Sequence, residues 1–238
     1  MLSFFDLPGN NTLVFLGDYI DYGEYSGQVL RYIYDLQKEY GDDKVVVLKG
    51  NHEADLLDWI DEYKQISVSE FETLLSFNPW LKNDAESGYK TFKTLIPDAA
   101  FDRFRKEAES MSFDRMNRRA VQILLAENRD LTAWFRKMPL YYETKDMIFV
   151  HAGINKKAGK TGRPQPTKKF FWPNTRRQPE SLKKTIVAGH TGTSSEFLTN
   201  NPENQDIYFD GQSHYYIDGT VYRPGGRLNV LKGEEKNF

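Results

Sequence analysis

Four short bursts of branched apolar residues punctuate the chain, and each runs directly into a small polar motif. Leu13-Val14-Phe15-Leu16 precedes Gly17-Asp18, and Val45-Val46-Val47-Leu48 precedes Lys49-Gly50-Asn51-His52. Met147-Ile148-Phe149-Val150 precedes His151-Ala152-Gly153, and Thr185-Ile186-Val187-Ala188 precedes Gly189-His190-Thr191. Runs this short, bounded by glycine, predict buried strands covered on both faces rather than strands that alternate in and out. Polar groups then gather at the carboxyl ends of the strands, where α/β sheets build their sites.

Between the first two bursts, Ser26 is placed to cap a helix whose Val29, Ile33, Leu36 and Tyr40 recur at helical spacing, with Gly41 ending it. From Ala54 to about Met138 the pattern is mostly helical. It holds a capping box at Ser67 and Glu70, an amphipathic stretch through Val121, Leu124, Leu125 and Leu131, and Pro139 as a stop. Trp59, Trp80 and Trp134 read as core or helix-packing residues, and no chemistry concentrates in this region. After His190 the chain predicts strands at Tyr208-Phe209, Tyr215-Tyr216-Ile217 and Leu228-Asn229-Val230-Leu231, with turns at Asp218-Gly219 and Pro224-Gly225-Gly226. His214, at the start of the second of these, reads as structural or exposed. The fold class is α/β, in one domain over residues 1–238 with a helical insertion at about 54–138.

The 238 residues, 39% of them hydrophobic, suffice for one substantial core. No apolar run approaches the ~20 residues of a membrane helix, and Met1-Leu2-Ser3-Phe4-Phe5-Asp6 lacks the basic opening of a secretory signal. The expectation is a soluble, cytoplasmic protein with no membrane partner. The absence of cysteine excludes disulfides, thiolate metal sites and cysteine nucleophiles, leaving oxygen and imidazole as metal ligands. A net charge of −2 hides a basic stretch, Lys156 to Lys184, which carries ten Lys or Arg against one acid, Glu180. Such a stretch is either a solvated loop or a cationic rim that attracts a phosphorylated substrate. Because the basic charge is confined there, no specific nucleic-acid partner is expected.

Asp18, Asn51, His151 and His190 each lie near a predicted strand end and each offers an oxygen or an imidazole nitrogen. A mixed set of this kind suits Mn²⁺, Fe or Zn²⁺ better than Mg²⁺ or Ca²⁺. Singly they say little, since Gly-Asp is a common turn and a strand-end histidine is more often structural. Taken in order, Gly17-Asp18-Tyr19-Ile20-Asp21-Tyr22-Gly23, Gly50-Asn51-His52-Glu53, Val150-His151-Ala152-Gly153 and Ala188-Gly189-His190-Thr191 resemble four signature motifs of the calcineurin-like metallophosphoesterases. The likeness is closest to bacterial serine/threonine protein phosphatases and diadenosine tetraphosphatases, and runs from about Leu13 to Leu231. It implies a central β-sandwich flanked by helices and two divalent metal ions, Mn²⁺ foremost, with Fe or Zn²⁺ as alternatives. By the same resemblance, Asp18 bridges the two ions while Asn51, His151 and His190 complete the second site. The implied reaction is hydrolysis of a phosphate monoester, in a phosphoprotein or a small substrate, by a metal-bridging hydroxide. His52 protonates the leaving oxygen and Asp21 orients His52. Dinucleoside polyphosphate hydrolysis is the rival within the family.

Two departures from the family pattern matter. The family opens on a strand ending in Asp-x-His, yet no histidine precedes Asp18, and Leu2-Ser3-Phe4-Phe5 reads as the tail of the helix that follows that motif. The expectation is a chain missing its N-terminal strand, with only Asp18 left to the first metal. A catalytically impaired relative that binds metal or phosphate is therefore a further rival. Second, Tyr22 stands where the protein-phosphatase motif has a phosphate-gripping arginine, and a phenol supplies no bidentate, permanently charged clamp. Arg176 or Arg177, after Phe171-Trp172-Pro173, falls where similar phosphatases place another phosphate-binding arginine.

Overall fold

The computed structural model describes residues 9–65, 80–81, 87–154 and 184–233. These fall into two compact units, one within Met1–Gly17, Glu39–Asn51 and Pro139–Phe238, the other within Asp18–Lys38 and His52–Met138. The basic stretch with Arg176 and Arg177, and the capping box at Ser67 and Glu70, lie outside the described residues.

The first unit carries the strands. β1 (Leu13–Phe15) and β2 (Val45–Val47) pair in parallel, with Phe15 opposite Val47. A second, mixed sheet of five strands has the order β3 (Tyr141–Glu143), β4 (Met147–Val150), β5 (Thr185–Ala188), β7 (His214–Tyr216), β6 (Tyr208–Phe209). β4, β5 and β7 run parallel, and the two edge strands are antiparallel to their neighbours. All four apolar bursts form strands.

Their burial departs in part from the expectation of cover on both faces. β2 is fully buried and β5 nearly so, but β1 is half-buried throughout and β4 alternates. Ile148 and Val150 of β4 join Ile154, Ile186, Ala188 and Tyr216 in one cluster. Phe149, on the opposite face of β4, meets the Tyr142 ring at 6.0 Å between centroids. The predicted strand at Leu228–Leu231 does not form. Leu228 and Val230 are exposed and have no apolar face to bury, while the Asn229 side-chain amide donates to the carbonyls of Gln205 and Ile217. A side chain, not a ladder, fixes this segment.

The second unit is helical. α1 (Ser26–Tyr40) ends before Gly41, whose φ of +89° only glycine adopts freely. It buries Leu30, Ile33 and Leu36, whereas Val29, expected on that face, is exposed. Ser26 donates its hydroxyl to the Gly23 carbonyl instead of accepting from the helix N-terminus. Among the described residues, four further helices follow α2 (Asn51–Gln65) in this region: α3 (Ser87–Leu95), α4 (Asp98–Ala108), α5 (Phe113–Glu127) and α6 (Arg129–Lys137). α5 is capped by the Ser112 hydroxyl, and α6 stops short of Pro139 as its sequence predicts. Trp59 and Trp80 are buried against each other, with ring centroids 4.9 Å apart, and the Trp59 indole donates to Asn117 at 2.7 Å. Val121, Leu124 and Leu131 are buried, and half-buried Trp134 donates to Gln37. No helix among the described residues is long and apolar enough to cross a membrane.

Candidate active site

Strand ends position one group of side chains in the first unit. β4 and β5 run parallel with Val150 opposite Ala188, so His151 and Gly189 leave the sheet side by side, and the Gly189 N–H donates to the His151 carbonyl at 2.8 Å. After β1 and β2, the chain continues through Leu16-Gly17 and through Leu48 to Asn51. Gly17 has a φ of +103°, and a Cβ there would lie 2.6 Å from the Gly50 nitrogen and 2.8 Å from His151 Nδ1. Only glycine lets the backbone pass so close to the imidazole.

The environment of His151, which is 2% exposed, fixes its tautomer. Nδ1 lies 2.8 Å from the Leu16 carbonyl, which can only accept, so Nδ1 carries a proton and, in the neutral ring, Nε2 presents a lone pair. Nε2 faces the Asn51 side-chain oxygen at 3.0 Å. An imidazole nitrogen and an amide oxygen this close share either a proton or a cation. Two donors bound to one divalent ion through bonds of ~2.1 Å, at right angles, are themselves about 3.0 Å apart. This pair therefore fits a metal. His190 sets its ring edge-on to that of His151, with centroids 4.9 Å apart and a ring nitrogen of each within 4.8 Å of the other. The His190 backbone is held at φ +64°, an uncommon state for a residue with a side chain. The described residues thus bring together three of the expected ligands, Asn51, His151 and His190.

The second unit holds Asp18, Asp21 and His52. His52 Nδ1 lies 2.7 Å from Asp21 Oδ2, and the Asp21 side chain is only 2% exposed. Asp21 is held in turn by Thr91 Oγ1, which donates to Oδ1 at 2.7 Å and accepts the Asp21 N–H at 2.9 Å, and by the Trp80 indole, which donates to Oδ2 at 3.3 Å. Burial pulls the His52 pKa down. The Asp21 hydrogen bond and the charges of Asp18, Asp21 and Glu53 overcome that and raise it to about 9. Its Nε2 therefore carries a proton at neutral pH. Asp18 accepts the His52 N–H at 3.3 Å, a carboxylate at the first turn of α2.

Glu53, fully buried, accepts the N–H of Asp18 at 2.9 Å and of Tyr19 at 2.7 Å. It fixes the turn on which Asp18 sits. Asp18, Asp21 and Tyr22 all have left-handed backbones, with φ of +60°, +71° and +55°. Such strain persists where surrounding bonds over-determine it. Glu53 stood inside a recognisable motif, but its role as a clamp carries no sequence signal. The helical region, read from sequence as free of chemistry, supplies Thr91 and Trp80 to Asp21. Tyr22, about half exposed, sets its ring edge-on to His52, with centroids 5.3 Å apart.

The sequence profile of the calcineurin-like phosphoesterases matches residues 3–223. A comparison with curated proteins finds no match.

Proposed function

Since the chain belongs to the calcineurin-like phosphoesterase family, we propose that it hydrolyses phosphate monoesters, phosphoserine or phosphothreonine in proteins or a small ester. The family implies a divalent metal, and Mn²⁺ suits the donor chemistry of Asp18, Asn51, His151 and His190. When bound, such an ion supplies activated water for attack on phosphorus and offsets charge on the phosphoryl oxygens. His52 holds a proton at Nε2 and passes it to the departing ester oxygen. Asp21 keeps Nδ1 engaged so that Nε2 is the donor, and Thr91 and Trp80 keep Asp21 in place. Arg176 or Arg177 is assigned to grip the phosphate, the role Tyr22 cannot take.

The observation that carries this reading is the buried Asp21 carboxylate 2.7 Å from His52 Nδ1. A charged imidazole oriented by a carboxylate is the arrangement a general acid needs. The test is an assay with Mn²⁺ against a phosphopeptide, an aryl phosphate and diadenosine tetraphosphate, with the bound metal measured on the same sample. Turnover of the monoesters supports the proposal. Preference for the dinucleotide moves the substrate class, and bound metal without turnover of any substrate identifies a binding module instead.

A further inference from the structure

The contact between Tyr22 and His52 bears on which phosphate esters the site accepts. Tyr22 lies one residue past Asp21, the carboxylate that orients His52, and its backbone is in the left-handed region. Its ring is held edge-on to the imidazole, with centroids 5.3 Å apart, yet about half of the residue faces solvent. A left-handed backbone at a residue with a large side chain is costly. Here it leaves an exposed aromatic ring beside the proton donor.

We propose that Tyr22 selects the leaving group, packing its ring against an aromatic or other flat alcohol portion of the phosphate ester. This rests on the reading of His52 as the general acid. In that reaction the bond from phosphorus to the ester oxygen breaks, a bond from phosphorus to the attacking water oxygen forms, the His52 Nε2 proton ends on the departing oxygen, and the surplus proton of the attacking water passes to solvent. That oxygen must approach Nε2 to roughly 3 Å. The carbon atoms attached to it then lie next to the imidazole, whose ring centroid is 5.3 Å from that of Tyr22. An alkyl chain gains little from a ring edge or face, whereas an aromatic leaving group gains a stacked or edge contact. The phenol, unable to clamp phosphate as a guanidinium does, thus acts on the other half of the substrate.

The test compares benzyl phosphate with n-butyl phosphate, whose alcohols differ little in basicity, in the wild type, Tyr22→Phe and Tyr22→Leu. The ratio of kcat/KM for benzyl over butyl ester falls by roughly threefold to tenfold in Tyr22→Leu and holds in Tyr22→Phe. A second measurement, calorimetric binding of benzylphosphonate and butylphosphonate in the presence of Mn²⁺, does not depend on turnover. A benzyl preference in binding that Tyr22→Leu abolishes supports the contact even if neither ester is hydrolysed, and that result overturns the hydrolytic reading alone. The same benzyl-to-butyl ratio in wild type and Tyr22→Leu, by rate or by binding, overturns the assignment of Tyr22. So does an absence of binding by either phosphonate.

Discussion

Thr91 Oγ1 grips Asp21 twice, donating to its carboxylate at 2.7 Å and accepting its backbone N–H at 2.9 Å, although 70 residues separate the two in sequence. Both groups are buried. Thr91→Val keeps the shape and removes both bonds, leaving a buried N–H and a carboxylate oxygen each short of a partner. The expected cost is about 1–3 kcal/mol of stability, read from urea unfolding, with a loss of phosphoesterase rate as Asp21 loosens its hold on His52. Unchanged stability would show that the clamp is not energetically coupled to the fold.

General acid catalysis by His52 predicts a dependence on the leaving group. His52→Gln is expected to slow hydrolysis of an alkyl phosphate by roughly 10²–10⁴-fold, and to slow hydrolysis of a nitrophenyl phosphate far less, because that leaving oxygen needs no proton. Equal losses on both esters, measured at saturating metal, would remove His52 from the proton-transfer step. In the metal-free protein, Asp21→Asn is expected to bring the His52 pKa down from about 9, as followed by the imidazole proton resonances.

Metal binding is expected to engage His151 Nε2 and the Asn51 oxygen, which lie 3.0 Å apart. A free Mn²⁺ concentration a hundred times the dissociation constant raises stability by about 2.7 kcal/mol. Thermal unfolding with and without Mn²⁺ measures this, and His151→Gln and His190→Gln are each expected to erase the shift. A shift that survives both substitutions would place the ion elsewhere.

Asp210 gives a pH signature away from the site. Burial alone would raise its pKa, but the N–H groups of Gln212, Ser213 and His214 all donate to Oδ1, at 2.9, 2.8 and 3.0 Å, and with the nearby His214 they bring it below the ordinary carboxylate value. A pKa lower in the folded than in the unfolded chain contributes stability that is complete above about 3.8 and lost as pH falls through the folded value. Asp210→Asn is therefore expected to destabilise the protein near neutral pH and progressively less in acid. A stability difference from wild type that stays constant across that range would count against the assignment.

The amino-acid order alone determined the four bursts that became β1, β2, β4 and β5, because short, glycine-bounded runs of branched apolar residues favour strands. It likewise set Asn51, His151 and His190 just past strand ends, since the polar motifs follow the bursts directly. Tertiary structure decided how these groups are held. The Leu16 carbonyl fixes the His151 tautomer, Glu53 pins the Asp18 turn, and Thr91 with Trp80 secures Asp21. No periodicity announces a hydrogen bond that spans scores of residues, because such a bond depends on where two packed segments meet. The same holds for the failure at Leu228–Leu231, where a strand-like composition found no face to bury and one asparagine side chain set the path.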